Sequence, residues 1–240
     1  MVAYTWEVRA QNLPEHARNP IHTDAGAQAA GFARALVAGV TTYAYLTHPI
    51  VADAGLEWLR RGGGEVRFRS PVFEHDALRL VPVETDGGTL VEARVGDEEA
   101  VRASLHALLD AGPPPPMRAG EPLRTREIRL EGEFGDEYGS RAGDDLPLYA
   151  AQGVVHPAVW PALANHVVHA DVARGSWIHT RSIIRHHALA RVGSVAHVHA
   201  VVVERFHRGG DRALLDVRIE IDGEPVATLE HEAIIDADSR

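Results

Sequence analysis

The sequence predicts an α+β protein built from a duplicated unit. The same order of elements occurs in each half of the 240-residue chain: a strand, a polar loop, a long helical run and four strand-like segments. Four successive prolines at 113–116 separate the halves, because residues without an N–H and with a fixed φ cannot join a helix or a sheet interior. Apolar and polar residues alternate along 215–222, which is typical of a half-buried strand. One sheet around one long helix, repeated, is an α+β arrangement.

The first half covers residues 1–110. Its apolar run 33–54 is long enough for a helix, which Pro49 is expected to end early since proline breaks helical hydrogen bonding. A triple glycine, 62–64, predicts a turn after that helix. The predicted strands are 4–10, 65–73, 77–85, 89–96 and 100–109.

The second half covers residues 124–240 and follows a proline-rich linker, residues 111–123, predicted to be an extended spacer. A helical run is predicted over 157–173. Valine-rich segments such as 201–203 favour strand over helix. The predicted strands are 124–134, 177–186, 194–207, 213–221 and 225–235.

Composition narrows the classes of function. The chain has no cysteine, which excludes disulfide frameworks, thiolate catalysis and zinc fingers. Its 24 basic and 34 acidic side chains give a net charge of −10, which disfavours nucleic acid as a partner. No apolar run reaches the roughly 20 residues of a membrane span, and charged residues lie within 1–10 where a signal peptide would be apolar. We expect a cytoplasmic protein without membrane contact that acts on a small molecule or another protein.

A motif precedes the first helical run. Residues 19–22 read N-P-I-H, residues 31–32 read G-F, and residues 37–39 read V-A-G. In this order they resemble the G-D-x-N-P-L-H, small-Gly-Phe and V-x-H-G signatures of the MaoC-like, or (R)-specific enoyl-CoA hydratase, family of hotdog-fold proteins. The main departure is Ala17, which stands where the family has aspartate.

The second half matches the same signature with substitutions at other positions. Residues 143–149 read G-D-D-L-P-L-Y, so that Leu146 replaces asparagine and Tyr149 replaces histidine. Residues 154–157 read V-V-H-P, with Pro157 in place of glycine. Two matches in register imply a double hotdog, with two antiparallel sheets each wrapped round a long central helix. The first half would then carry the better-kept site, and the second would be a degenerate hotdog.

The resemblance implies hydration or dehydration of an acyl chain linked as a thioester to CoA or to an acyl-carrier protein. The family uses an aspartate and a histidine on one water, and a glycine N–H at the helix start stabilises the oxyanion. His22 is thereby the candidate acid/base and Gly39 the candidate oxyanion donor, whereas Pro157 has no N–H. Asn19 joins this catalytic set, although its amide also suits support of the loop. Asp24 is the third candidate, with Glu15 and His16 as open alternatives for the missing aspartate.

The candidate substrate-binding residues are Gly31, Phe32, Val37, Arg67 and Arg69. The two arginines belong to a small basic cluster that would suit the phosphates of CoA or of a carrier protein. No metal and no cofactor are expected, since His166 and His169 lack a third ligand at a diagnostic spacing. Two other functions stay open: a catalytically degenerate acyl-binding or accessory subunit, and an acyl thioesterase. A homodimer of double hotdogs is compatible with each of them.

Overall fold

Eleven strands form one antiparallel sheet in the computed structural model, which describes residues 4–86, 88–96 and 100–237. In the first half the strands are β1 Trp6–Arg9, β2 Gly63–Phe68, β3 Ala77–Thr85, β4 Gly88–Val95 and β5 Val101–Leu108. After it come β6 Glu121–Pro122, β7 Arg126–Arg129, β8 Ile178–His186, β9 Val195–His207, β10 Asp211–Ile221 and β11 Glu224–Ile234.

The two halves repeat one strand order. Counted outward from the centre, the first half runs β2-β5-β4-β3-β1 and the second runs β8-β11-β10-β9, with β7 and β6 on β9. The predicted two sheets therefore join edge to edge, through antiparallel pairing of β2 with β8. A Cβ on Gly63 would lie 2.2 Å from the Ile184 carbonyl oxygen, so this approach requires glycine. Mutual pairing covers an edge that each sheet would otherwise expose.

Five α-helices and several short turns accompany the sheet in the described residues. The helices are α1 Asp24–Ala29, α2 Gly39–Arg61, α3 Glu137–Ala142, α4 Leu148–Gln152 and α5 Val159–Val167. A π-helical turn, Val168–Val172, extends α5, and 3-10 turns occupy Pro14–Arg18, Pro20–His22 and Gly132–Phe134. None of the described helices is long and apolar enough to span a membrane.

The first central helix differs from the prediction at both ends. It begins at Gly39 rather than at 33, because the preceding residues are tied to an extended segment: the Val37 N–H donates to the Val72 carbonyl. It also continues through Pro49 to Arg61, with its irregular residue at Gly55, where φ is 58°. Every residue from Val40 to Val51 is buried, and this packing outweighs the hydrogen bond that proline removes.

The proline-rich segment lies against the second half. The Arg218 guanidinium donates to the Pro115 carbonyl at 2.6 Å, and the Arg118 N–H donates to Asp216. The segment then forms β6, whose Glu121 and Pro122 pair with β9. Pro122 is tolerated there because β6 is an edge strand.

One hydrophobic core extends through both halves. It includes apolar residues of α2 and α5 and the inward-facing residues of the strands. Helix α2 contacts its own strands and also β8 of the second half. The start of α2 therefore lies where the two halves meet, and this is the place where the site forms.

Candidate active site

A cavity of about 240 Å³ opens at the N-terminus of α2. Its walls come from the loop before α2, from the end of β2 and from the start of β8. Most of the lining is apolar, which suits an acyl chain. The apolar lining residues include Ile21, Phe32, Leu36, Val37, Phe68, Val72 and Ile178.

A smaller cavity of about 60 Å³ lies next to it. Four residues line both cavities: Asn19, His22, Asn165 and Trp177. Glu15 and His16 line the smaller one alone. Its volume is sufficient for a water molecule, and its polar lining offers the partners that a buried water needs.

His22 is held in one orientation and one tautomer. Its Nδ1 lies 2.7 Å from the Leu36 carbonyl oxygen, so Nδ1 carries the proton and donates it. Burial lowers the pKa of His22 to about 4, although the bond to Leu36 opposes this shift. The imidazole is neutral at pH 7, and the lone pair of Nε2 has no partner among the described residues.

Glu15 and His16 line the smaller cavity together with His22, and the His16 and His22 ring centroids are 5.8 Å apart. Glu15 forms an ion pair with Arg141 through Oε2, while its buried Oε1 has no partner within the described chain. The His16 Nε2 lies 3.2 Å from both the Tyr138 hydroxyl and the Thr41 hydroxyl. Burial and neighbouring cationic groups lower the pKa of His16 to about 3, so this ring is also neutral.

Asn19 fastens the loop to the second half. Its Nδ2 donates to the Trp177 carbonyl at 2.8 Å, and its Oδ1 accepts from the N–H groups of Trp177 and Ile21. Both ends of the amide therefore bond to backbone groups, so Asn19 supports the loop.

Gly39 is the first residue of α2, and Ala38 provides no side-chain cap. The N–H groups of the first helical turn lack acceptors within a helix and mark its positive end. In the described chain no backbone carbonyl accepts from the Gly39 N–H. Since Gly39 lines the larger cavity, this donor is available to a ligand there.

The other predicted site residues divide into two groups. Phe32, Val37 and Arg69 line the larger cavity. Gly31, Asp24 and Arg67 line neither cavity. Gly31 occupies a turn with φ of 83°, Asp24 accepts from the Ala35 N–H at 2.9 Å, and Arg67 pairs with Glu65 at 2.6 Å.

Ala17 does not face the site either. It is exposed in the 3-10 turn Pro14–Arg18, whereas Glu15 and His16 of the same turn line the smaller cavity. Ala17 lines neither cavity, although it stands where the family has aspartate. Of the three alternatives to the missing aspartate, Glu15 and His16 line the smaller cavity together with His22, whereas Asp24 lines neither cavity.

The second half contributes polar atoms that the sequence analysis missed. Asn165 Oδ1, Trp177 Nε1 and His179 Nδ1 are buried, line the larger cavity and have no partner in the described part of the chain. No local sequence signal marks these residues, because they reach the site only through the pairing of the halves. Thr180 and Arg212 of the second half also line this cavity, together with Arg69.

The corresponding place in the second half is closed. Asp144 contacts the Nε2 of His156 at 3.2 Å, so an imidazole lies beside this aspartate although Tyr149 replaces the motif histidine. The Nδ1 of His156 accepts the Ala158 N–H at 3.1 Å, just ahead of α5. Both side chains are buried, and Tyr149 packs on His156 with ring centroids 4.4 Å apart. His156 therefore accepts the Ala158 N–H at the start of α5, and this donor is not available to a ligand.

One group of the described residues has the spacing of a metal site. The ligand atoms of His48, Asp144 and Asp145 lie within 4.8 Å of one another. These atoms already bond to each other and to the backbone: His48 Nε2 lies 2.7 Å from Asp145, and the Leu146 N–H donates to Asp144. The group connects α2 to the second half, away from both cavities.

Comparison with known proteins agrees with this architecture. Residues 15–103 match the family model of the MaoC like domain, while the sequence matches no curated protein. The fold is therefore a double hotdog, as predicted, and residues 15–103 in its first half are similar to the MaoC like domain, in agreement with the predicted resemblance.

Three solved structures show the same fold at low sequence identity. A MaoC domain protein from Chloroflexus aurantiacus J-10-fl is 10% identical with a TM-score of 0.63, over 97% of this chain and 95% of that one. RV0216 of Mycobacterium tuberculosis, a double hotdog, is 13% identical with a TM-score of 0.61, over 97% and 96%. The dehydratase domain of PpsC from M. tuberculosis, in complex with C12:1-CoA, is 13% identical with a TM-score of 0.57, over 96% and 93%.

Proposed function

We propose that this protein is an acyl-thioester hydratase or dehydratase whose single site lies in the first half. One observation carries the proposal: the unprotonated Nε2 of His22 and the unused N–H of Gly39 belong to residues that line one apolar cavity. A general base and an oxyanion donor are the two groups that hydration of an α,β-unsaturated thioester needs. The match of residues 15–103 to the MaoC like domain supports the same chemistry.

The substrate fits the two cavities in a defined way. The acyl chain lies in the larger cavity, with its thioester carbonyl at the Gly39 N–H. The attacking water lies in the smaller cavity beside His22. A larger cavity of about 240 Å³ is below the roughly 300–1,000 Å³ of pockets for drug-sized ligands, which favours a short acyl chain. CoA or a carrier protein stays outside, near Arg69.

The reaction needs only one imidazole for its proton transfers. His22 Nε2 accepts a proton from water while the water oxygen bonds to Cβ and the π electrons move to the thioester oxygen. The Gly39 N–H stabilises that developing enolate charge. The imidazolium then returns the proton to Cα, which completes the addition of water. Dehydration follows the same steps in reverse.

Glu15 takes the part of the missing family aspartate in this proposal. Its unpartnered Oε1 can accept a hydrogen bond from the water that His22 deprotonates, and Arg141 fixes the rest of the carboxylate. Asn19 is a positioning residue, since both ends of its amide hold the loop to Trp177. Asp24 has no part, because it stabilises the turn at Ala35 instead.

The proposal is tested by hydration of crotonyl-CoA with the wild type and three variants. His22→Ala should lower kcat about 10²- to 10⁴-fold, the usual contribution of a general acid–base. Glu15→Gln should lower kcat by about 10-fold, because it leaves His22 in place but weakens the hold on water. Asp24→Asn is the matched loop control and should leave kcat unchanged, since its amide oxygen can still accept the Ala35 N–H.

Other results would favour the rival functions. Release of free CoA from saturated butyryl-CoA, lost in His22→Ala, would identify a thioesterase and overturn the proposal. Binding of butyryl-CoA with no turnover of either thioester would identify an acyl-binding subunit. Equal rates for wild type and His22→Ala would remove His22 from the chemistry.

A further inference from the structure

A buried chain of three polar side chains ends at the larger cavity. His179 and Ser182 belong to β8 and His231 to the neighbouring β11. The His179 Nε2 lies 2.8 Å from the Ser182 hydroxyl, which lies 2.9 Å from the His231 Nδ1. His179 is 5% exposed and the other two are fully buried. Nothing in the first half's signature predicts this chain, which belongs entirely to the second half.

The free end of this chain faces the start of α2. His179 Nδ1 is buried and has no partner among the described residues. A Cβ built on Gly39 would lie 3.3 Å from that nitrogen and 3.3 Å from Phe68 Cζ. The unsatisfied ring nitrogen therefore lies directly beside the residue whose N–H opens on the cavity. A buried polar atom without a partner is costly unless a ligand satisfies it.

The protonation states of the two imidazoles determine whether His179 Nδ1 can donate a hydrogen bond. Burial lowers the pKa of His179 and lowers that of His231 to about 3, so both rings are neutral at pH 7. The Ser182 hydroxyl has one proton to donate. When His231 Nδ1–H donates to Ser182 and Ser182 donates to His179 Nε2, the proton of His179 is on Nδ1. The chain then presents an N–H donor to the cavity.

We infer that His179 Nδ1–H is a second donor to the thioester carbonyl oxygen, beside the Gly39 N–H, with Ser182 and His231 fixing its tautomer. The inference rests on the proposed function for the position of the carbonyl. His179 would be the residue that touches substrate, and the other two would be positioning residues. The second half, whose own site is closed, thus completes the site of the first.

Two substitutions of His179 separate its two nitrogens. In asparagine the amide is bonded to Cγ, so that it can replace Nδ1, whereas in glutamine it reaches further and replaces Nε2. His179→Asn should therefore keep the contact with the carbonyl and lose Ser182. His179→Gln should keep Ser182 and lose the carbonyl. A purely structural histidine would be replaced better by glutamine, which keeps the hydrogen bond of Nε2 to Ser182.

The readout is the ratio of affinities for butyryl-CoA and for S-butyl-CoA, a thioether that lacks the carbonyl oxygen. The wild type should prefer the thioester about 10-fold, as one or two hydrogen bonds allow. His179→Gln should lose most of that preference with unchanged affinity for the thioether, and His179→Asn should keep it. Loss in both variants, retention in both, or no preference in the wild type would overturn the inference. If His179→Gln does not fold, loss of the preference in His179→Asn is sufficient to overturn it.

Crotonyl-CoA hydration by the same proteins separates this inference from the proposed function. A wild type that prefers the thioester without hydrating crotonyl-CoA would refute the function and leave the carbonyl contact standing. Full hydration by His179→Gln would refute the contact and leave the function standing. Where both hold, kcat of His179→Gln should fall about 10²-fold, the usual effect of losing one oxyanion donor.

Discussion

Each half of the molecule contains an imidazole near its motif, and the two imidazoles differ in their hydrogen bonds. In the first, His22 donates its Nδ1 proton to a carbonyl, its Nε2 has no partner among the described residues, and Gly39 lines a cavity. In the second, His156 accepts the Ala158 N–H with Nδ1 and contacts Asp144 with Nε2. The His22 Nε2 of the first half has no partner in the described part of the chain, whereas both ring nitrogens of His156 have one.

This difference teaches that a degenerate site can hold an imidazole at another position of the motif, since Tyr149 stands where the first half has His22. His156 accepts an N–H at the start of a helix, whereas the Nε2 of His22 has no partner among the described residues. Pro157 removes one helix-start donor, and His156 occupies the next. The hydrogen bonds of His156 thus stabilise the second half, whereas His22 stays available for chemistry in the first. The second half also contributes Trp177, His179 and Asn165 to the larger cavity.

The largest effect that would test this comparison is on stability. Asp144→Ala should reduce the free energy of unfolding by roughly 3 kcal/mol, because it leaves a buried imidazole without its partner. Turnover per folded molecule should change little, since Asp144 lines neither cavity. Urea unfolding combined with crotonyl-CoA hydration measures both quantities.

Asp145→Ala is the matched control for that change. Asp145 is 77% exposed and meets His48 at 2.7 Å, so its loss should cost less than about 1 kcal/mol. If Asp144→Ala abolished turnover in a fully folded protein, the second half would hold a working site and the comparison would fail.

Much of the fold followed from the sequence, because alternation and glycine or proline positions are local signals. The strand predicted at 77–85 has those bounds in the structure, and most others differ by a residue or two. The helix α2 was misplaced, since a proline in a fully buried helix is decided by packing rather than by propensity. His22 and Gly39 came from a motif, whereas His179 came from no motif, because pairing of β2 with β8 brings it to the site.

Acid pH should lower activity only where His22 becomes protonated. The pKa of His22 is lowered to about 4, so its Nε2 stays unprotonated well below pH 6.5. The acid limb of kcat/KM should therefore lie near pH 4 rather than near 6.5. A limb near 6.5 would mean that the base is solvated or is another residue.

Stability should fall over the same range of pH. His16, His22 and His231 have pKa values of about 3 to 4 in the folded protein, below the 6.5 of an unfolded chain. The unfolded chain therefore binds protons first, and stabilisation that is complete above pH 6.5 is lost progressively as the pH falls towards 4. Urea midpoints at pH 7.5, 6 and 5 measure this loss, and a constant midpoint would contradict the burial of neutral imidazoles.

The smallest effect concerns the rim where the two halves meet. Arg69 lines the larger cavity near Arg212 of the second half, whereas Arg67 pairs with Glu65 and lines neither cavity. Arg69→Ala should raise KM for crotonyl-CoA about 3-fold, the effect of one exposed charge, and salt should diminish the difference. Arg67→Ala should leave KM unchanged. With crotonyl-pantetheine, which has no phosphates, both variants should equal the wild type, because Arg69 then has no anion to contact. An equal rise in KM for the two variants would show that the rim acts through general charge rather than through a contact of Arg69 with the carrier phosphates.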